Sequence, residues 1–225
     1  MICFGNKLDD LLGGGVSDSL VTHIFGPPAS GKTNLALMAS VAALGKGKVI
    51  YIDPEGGFSV ERIRQLACDR FHEVLGNILL VKPTTFDEQK LAFARLDELV
   101  TSMKVSLIVV DSIAMLYRME EDKDVRMLGR MLAQLLRVAR KYELPVLLTN
   151  QVYSDYETKV TRPIGGTIGE YFTKNMVELV RNHDGTRHAI LRRHISKHEG
   201  EGLEFRIVDS GIEVVSEFCT TENPL

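Results

Sequence analysis

Residues 26–33 read Gly-Pro-Pro-Ala-Ser-Gly-Lys-Thr, which satisfies the phosphate-binding pattern G-x-x-x-x-G-K-[ST] at every required position. The two glycines let the backbone curl around a phosphate, and the amides lining the turn point inward as donors. In such a loop the lysine reaches the β- and γ-phosphates, and the threonine hydroxyl binds Mg²⁺. We therefore expect the whole loop to contact a nucleotide: Gly26, Pro27, Pro28, Ala29, Ser30, Gly31, Lys32 and Thr33.

The segments on either side of this loop fit the same interpretation. Leu20–Phe25 is an apolar run typical of a buried strand, and Asn34–Leu44 has the pattern of a helix. A helix that starts at the loop directs the positive end of its dipole at bound phosphate. A chance match in a glycine-rich turn would lack this strand–loop–helix context.

Length and composition predict one domain over residues 1–225. The chain has 225 residues, 44% of them hydrophobic, and no apolar run long enough to span a membrane. We find no signal-peptide pattern, and the three cysteines form neither a metal-ligand pair nor a disulfide framework. We expect a soluble cytoplasmic protein that does not bind a membrane. A net charge of −3 gives no general indication of nucleic-acid binding, so such binding must be argued locally.

Short apolar runs alternate with longer helical patterns, which predicts an α/β fold with a mainly parallel, twisted sheet flanked by helices. After the first strand, we predict core strands at Val49–Asp53, Ile78–Val81, Leu107–Asp111 and Val146–Thr149. Helices are predicted near Ser59–Phe71, Phe86–Met103 and Asp122–Tyr142. Beyond Thr173 the elements become short strands separated by turns, which predicts an antiparallel C-terminal extension of the sheet.

Polar side chains follow three of the predicted core strands. Asp111 ends one strand, where phosphate-loop enzymes place a second group directed at Mg²⁺. Glu55 lies just beyond another strand and could activate an attacking water. Gln151 closes a third strand and could sense a γ-phosphate. The alternatives are ordinary ones: a capping aspartate, a turn carboxylate and a polar residue that closes a strand.

The stretch from Val152 to Gly169 directly follows Gln151 and has no clear periodicity. A long structureless loop inside a compact domain is usually functional. This one carries Lys159 and Arg162, so we interpret it as a loop that could bind DNA.

In their order along the chain, these motifs resemble the RecA/RadA recombinase family. The resemblance rests on residues 8–16, on Tyr51–Phe58 with Glu61 and Arg62, on Leu107–Ser112, on Thr149–Val152 and on Pro163–Gly166. It implies a RecA-like P-loop NTPase core that binds ATP and Mg²⁺ and hydrolyses ATP weakly. It implies catalytic roles for Lys32, Glu55 and Gln151, nucleotide contact by Arg62, and metal contact by Thr33 and Asp111.

The sequence also departs from full strand-exchange members of that family. Only about 20 residues precede the first core strand, so we expect no N-terminal helical DNA-binding domain. Met119–Asp124, in the position of the first DNA loop, is acidic and would repel phosphate. The resemblance, closest to the short archaeal paralogues of RadA, implies a recombination accessory protein with recombination proteins as partners. Two alternative functions stay open: a non-hydrolysing ATP-gated interaction module and another RecA-type motor. Assembly into a homo-oligomer stays open as well.

Residues 181–198 contain five basic side chains against one acid, Asp184. Such a local excess can neutralise phosphates in a chain that is acidic overall, and it predicts sequence-independent DNA binding. We expect single strands to be favoured as the partner. From this basic patch we select Arg192, Arg193 and Lys197 as DNA contacts. The alternative is an exposed strand edge kept soluble by charge. The arginines of the predicted helix 122–142 lie on one face of that helix and allow two interpretations. The face is either solvated, or it binds a polyanion or a partner subunit.

Overall fold

A computed structural model describes residues 1–121, 124–154, 161–164 and 167–220. The strands are β1 Val21–Gly26, β2 Lys48–Ile52, β3 Ile78–Val81, β4 Val105–Val110, β5 Val146–Ser154, β6 Thr161–Pro163, β7 Asn175–Arg181, β8 Arg187–Arg193, β9 Glu201–Val208 and β10 Gly211–Cys219. The helices are α1 Lys7–Leu11, α2 Lys32–Ala42, α3 Val60–Ala67, α4 Phe71–Asn77, α5 Phe86–Ala94, α6 Leu96–Ser102, α7 Val125–Lys141 and α8 Thr167–Phe172.

One sheet runs in the order β10-β9-β8-β7-β1-β5-β4-β2-β3, and β6 pairs with β5 outside this path. The strands from β7 to β3 are parallel, whereas β7 through β10 form an antiparallel extension. The predicted fold class is therefore confirmed: a mainly parallel RecA-like sheet with an antiparallel C-terminal part.

Helices pack on both faces of β4, which explains its unbroken apolar run Leu107–Val110. Leu107 and Val109 point to one side, where they join a core formed with α1 to α4. Ile108 and Val110 point to the other side and pack with α5, α6 and α7. Because neighbouring residues of a strand face opposite sides, a strand buried on both faces needs apolar residues at every position.

Two predicted helices are each divided in the structure. The helix expected over Ser59–Phe71 ends at Ala67, because Cys68 adopts a left-handed φ of 48° that cannot continue the helical hydrogen-bond ladder. A 3₁₀ turn and α4 follow it. The helix expected over Phe86–Met103 is interrupted at Arg95, which ends α5 and precedes α6. The prediction of single helices was wrong in both places.

The expectation that residues 152–169 are structureless is wrong at both ends of that stretch. Strand β5 continues to Ser154, and β6 pairs with it antiparallel, with Val152 opposite Pro163. Helix α8 begins at Thr167. A three-residue pairing is too short to leave a period-two pattern in the sequence, which explains why composition suggested a loop.

Helix α7 is amphipathic as predicted. Its buried face includes Leu128, Leu132 and Leu135. On its exposed face, Arg137 and Lys141 both donate to Asp97 on α6, and these contacts hold the pKa of that carboxyl well below its usual range. Part of the basic face is thus neutralised within the chain, which favours a solvated face over a surface for a polyanion.

Candidate nucleotide site

The phosphate-binding loop joins a fully buried strand to a helix, as the sequence predicts. Strand β1 ends at Gly26, and α2 begins at Lys32 with Gly31 in front of it at a φ of 106°. A Cβ at position 26 would lie 2.3 Å from the Leu179 carbonyl oxygen of β7. Position 31 needs glycine for its left-handed backbone, and position 26 needs it because β7 passes so close.

Lys32 lies folded across the loop that it belongs to. Its ammonium donates to the carbonyl oxygens of Gly26 at 2.9 Å and Pro27 at 2.8 Å. Burial lowers the pKa of Lys32, and the carboxylates of Glu55 and Asp111 oppose that effect. A buried ammonium held only by neutral carbonyls is a favourable partner for an incoming anion.

Asp111 follows β4 and accepts hydrogen bonds from two hydroxyl groups, those of Tyr51, at 2.8 Å, and Thr149. The Thr33 hydroxyl lies near enough to help lower the pKa of the same carboxyl. Burial raises the pKa of the Asp111 carboxyl, and these hydrogen bonds oppose the rise. Thr33 and Asp111, the predicted metal pair, therefore lie close together, and both side chains are near Gly57. Hydroxyl and carboxylate oxygens suit Mg²⁺, so the residues present fit this ion.

Glu55 and Gln151 meet beside the loop, although they are 96 positions apart in the sequence. Gln151 donates to Glu55 Oε1 at 2.8 Å, and Ser112 donates to Oε2 at 3.1 Å. Arg118 in turn donates to Gln151 Oε1 at 2.9 Å. The contact arises because β5, β4 and β2 are neighbours and their C-terminal ends gather at one edge of the sheet.

The loop that carries Glu55 is held by Asp53. Its two carboxylate oxygens accept from the amides of Gly57, at 2.9 Å, and Phe58, at 3.0 Å. Asp53 is buried, and both of its carboxylate oxygens are engaged by these amides. It positions Glu55 by fixing the turn beyond β2.

A cavity of about 370 Å³ opens above the phosphate-binding loop. Its lining includes predicted catalytic and nucleotide-binding residues together with two side chains from the antiparallel extension. The residues are Pro28, Ala29, Gly31, Lys32, Thr33, Asn34, Glu55, Gln151, Arg187 and Ile207. A groove of this size with convergent polar groups is typical of a small-molecule site.

Arg62, predicted as a nucleotide contact, does not line this cavity. Its guanidinium donates to Asn34 Oδ1 at 2.8 Å and to the carbonyl oxygens of Val208, at 2.6 Å, and Gly211, at 3.2 Å. These bonds tie α3 and α2 to the turn between β9 and β10. Contact between Arg62 and a nucleotide stays a prediction that would require this side chain to move.

Replacing Arg62 by alanine should destabilise the protein by about 1–3 kcal/mol, because a part-buried charged donor and its carbonyl contacts are lost. For a chain of this size, that corresponds to a fall in melting temperature of roughly 3–8 °C in a thermal denaturation experiment. The control is Arg70→Ala, which removes an exposed ion pair with Glu73 and should change little. An unchanged melting temperature combined with weaker ATP binding would favour direct nucleotide contact instead.

The predicted DNA contacts do not form one open cluster in the described residues. Arg192 makes an ion pair with Glu178 on β7 at 2.7 Å, and Lys197 pairs with Glu201 at 3.3 Å. Arg193 ends β8. Lys159 lies outside the described residues, and of Arg162 only the backbone in β6 is described.

Sequence reasoning missed the roles of several side chains at the site. Ser112 stood in the motif Leu107–Ser112 without a role, Arg118 was given no role, and Thr149 was taken only as part of a strand end. Arg187 was counted in the basic patch, yet it lines the nucleotide cavity with Ile207. Only the position of Ser112 directly after Asp111 could have been noticed in the sequence.

Comparison with known proteins gives a consistent picture. The family model described as Rad51 matches residues 1–215. Among curated proteins, "DNA repair and recombination protein RadB" of Thermococcus sibiricus is 40% identical, with all of both chains covered. The protein of the same name from Methanosphaera stadtmanae is 39% identical and covers 94% of this chain and 95% of its own.

A solved structure described as the crystal structure of the RadB recombinase superposes with a TM-score of 0.84. It is 41% identical, and the match covers 96% of this chain and all of that one. Across the described part of the chain, no helix is both long enough and apolar enough to cross a membrane.

Proposed function

The chain belongs to the Rad51 family, and we propose from this premise that it is an ATP-dependent DNA-binding protein of homologous recombination and DNA repair. It acts as an accessory or mediator of a recombinase and hydrolyses ATP weakly. The names of its RadB relatives support the setting of DNA repair and recombination. Its partners are DNA and other recombination proteins, its location is the cytoplasm, and residues 1–225 act as one core domain.

ATP is bound by the Gly26–Thr33 loop. Loop amides and the Lys32 ammonium hold the phosphates, and Thr33 with Asp111 would hold Mg²⁺, which neutralises phosphate charge when bound. In support, the Ser30 hydroxyl is buried and lacks a hydrogen-bond partner within the described residues. A buried polar atom of this kind is usually satisfied by a ligand or by water.

The observation that carries the proposal is the hydrogen bond between Gln151 and Glu55 beside the loop. Glu55 has the carboxylate needed to accept a proton from an attacking water. Gln151 stands in β5, three residues before its end at Ser154, and β5 leads into the hairpin with β6. A γ-phosphate that draws Gln151 away from Glu55 would thus shift the start of the segment that we propose binds DNA.

The same contacts support a second candidate function, a non-hydrolysing ATP-gated module that docks a recombinase or nuclease. Both oxygens of Glu55 are already occupied, one by Gln151 and one by Ser112. A carboxylate has about four acceptor sites, so Glu55 takes a proton only if it offers one of the remaining sites to the attacking water. If it does not, ATP only selects a conformation and is not cleaved.

DNA binding by the basic patch has a direct test. The double variant Arg193→Ala, Lys197→Ala should reduce the slope of log affinity against log salt by about 1.4 on single-stranded DNA, since each lost phosphate contact contributes about 0.7. Affinity should fall alike on unrelated sequences. The measurement is fluorescence anisotropy with labelled single strands at several salt concentrations, with ATP and without nucleotide. Arg192 is retained because its loss would leave Glu178 buried and unpaired.

The matched control removes two cations outside the patch, Lys90 and Arg95, and should leave the slope unchanged. An unaltered slope in the patch variant would place the DNA contacts elsewhere, at the β5–β6 hairpin first. If the wild-type protein binds no DNA at any of the salt concentrations, the proposal itself is contradicted.

A further inference from the structure

Arg187 is the first residue of β8, two strands from the central strand β1 in the order of the sheet. Its side chain nevertheless reaches the phosphate-binding loop. The Arg187 Cδ atom lies 3.8 Å from where a Cβ at Gly31 would be, and Ile207 Cδ1 lies 3.2 Å from the same point. Arg187 and Ile207 thus form the wall of the nucleotide cavity beside Gly31, contributed by the antiparallel extension.

The guanidinium of Arg187 is incompletely satisfied. Nη1 donates to the Gly185 carbonyl oxygen at 2.7 Å, whereas Nε is buried without a partner within the described residues. Burial and the nearby positive charge of Arg181 both lower the pKa of Arg187. The protein therefore holds a cation where neither hydrogen bonds nor an opposite charge fully compensate it, which is a common property of anion-binding sites.

The charges that line the cavity also favour an anion. Lys32 and Arg187 are its two cationic residues, and Glu55 is the one carboxylate. Glu55 is already engaged by Gln151 and Ser112. The planar guanidinium of arginine can donate two parallel hydrogen bonds to phosphate oxygens, which an ammonium cannot do.

We propose that Arg187 is a phosphate-binding residue of the nucleotide site, which contacts the phosphate chain from β8 while Lys32 contacts it from the loop. This inference rests on the proposed function, because it takes the Gly26–Thr33 loop to be the nucleotide site. It separates Arg187 from the basic patch with which the sequence grouped it. It also makes the antiparallel extension a part of the nucleotide site of the same chain.

The test compares Arg187→Ala, Arg187→Lys and Arg206→Ala with the wild type. Arg206 is the matched control, since it precedes Ile207 on β9, is exposed and lies outside the cavity lining. The ligands are ATP, ADP and inorganic tripolyphosphate, each with Mg²⁺ and without DNA, measured by calorimetry or by competition with a fluorescent ATP analogue. Thermal denaturation of each variant verifies that it is folded.

Arg187→Ala should weaken ATP and tripolyphosphate binding by the same factor, roughly 10- to 100-fold, as expected for the loss of charge-assisted hydrogen bonds. Arg187→Lys keeps the charge without the paired donors and should recover part of that loss. Arg206→Ala should bind all three ligands within about twofold of the wild type.

Unchanged ATP affinity in Arg187→Ala would overturn the inference. Weaker binding of ATP with unchanged binding of tripolyphosphate would also overturn it, because Arg187 would then contact the base or ribose of the nucleotide. Weaker DNA binding with unchanged nucleotide binding would return Arg187 to the basic patch. A separate result would contradict the proposed function, namely that Lys32→Ala retains its ATP affinity. If Arg187→Ala still lost affinity in that case, Arg187 would remain an anion-binding residue while the role of the loop was wrong.

Discussion

Lys32→Ala is expected to weaken ATP binding by at least roughly 100-fold. In the structure, the Lys32 ammonium spans the loop and donates to the carbonyl oxygens of Gly26 and Pro27. Bound phosphate would replace these neutral acceptors with charged ones, and two charge-assisted hydrogen bonds at about 1.5–3 kcal/mol each account for such a loss. Calorimetric titration with ATP and Mg²⁺ measures the effect directly.

The control for this variant is Lys48→Ala, because Lys48 also donates to a main-chain carbonyl, that of Gly76, but on the exposed surface. It should bind ATP like the wild type. A pH series provides a second readout. Because burial lowers the pKa of Lys32, the ammonium loses its proton at a pH below the ordinary lysine pKa of 10.5, and ATP affinity should begin to fall at that lower pH. Retained affinity in Lys32→Ala would mean that the loop is not the nucleotide site.

Glu55→Gln is expected to reduce ATP turnover by roughly 100- to 10,000-fold while ATP affinity changes by less than about threefold, as for the loss of a general base. The side chain keeps its size, so its oxygen can still accept from Gln151 and its amide can donate to Ser112. What disappears is the carboxylate that takes a proton from water. Phosphate release under single-turnover conditions, with and without single-stranded DNA, measures the change.

Glu61→Gln is the matched control, since Glu61 is an exposed carboxylate in the first turn of α3, a few residues from Glu55. It should hydrolyse ATP at the wild-type rate. If Glu55→Gln leaves both turnover and the effect of DNA unchanged, the enzymatic proposal is wrong and the non-hydrolysing module is favoured. A loss of turnover accompanied by an equal loss of ATP affinity would instead mean that Glu55 supports binding.

Local sequence was sufficient to predict the loop and the polar strand ends. The glycines, lysine and threonine of Gly26–Thr33 form a motif that can be read locally. Glu55 and Asp111 each follow an apolar strand, and Gln151 follows the apolar run Val146–Thr149 within β5. That they converge follows from the rule that parallel strands present their C-terminal ends at one edge. The structure adds that β4 lies between β2 and β5, so that Ser112, just beyond β4, can donate to Glu55 together with Gln151.

The remaining site residues depend on where distant strands lie, and local patterns do not encode this. Arg187 reaches the cavity only because β8 and β9 extend the sheet beside β7. Arg62 has its partners only because the β9–β10 turn folds onto α3. Arg192 was assigned to DNA because its sequence neighbours are basic, whereas its partner in space is Glu178, which the antiparallel pairing of β7 with β8 brings within reach.

The approach of β7 to Gly26 limits which substitutions this sequence can accept during evolution. The atom that would clash with a side chain at position 26 is a main-chain oxygen, which every amino acid at position 179 would supply. No second substitution at 179 could therefore compensate for losing the glycine, whereas 179 itself can vary among apolar residues that fill its buried place. Position 26 should therefore stay glycine in descendants of this gene while position 179 varies, even though the two residues touch.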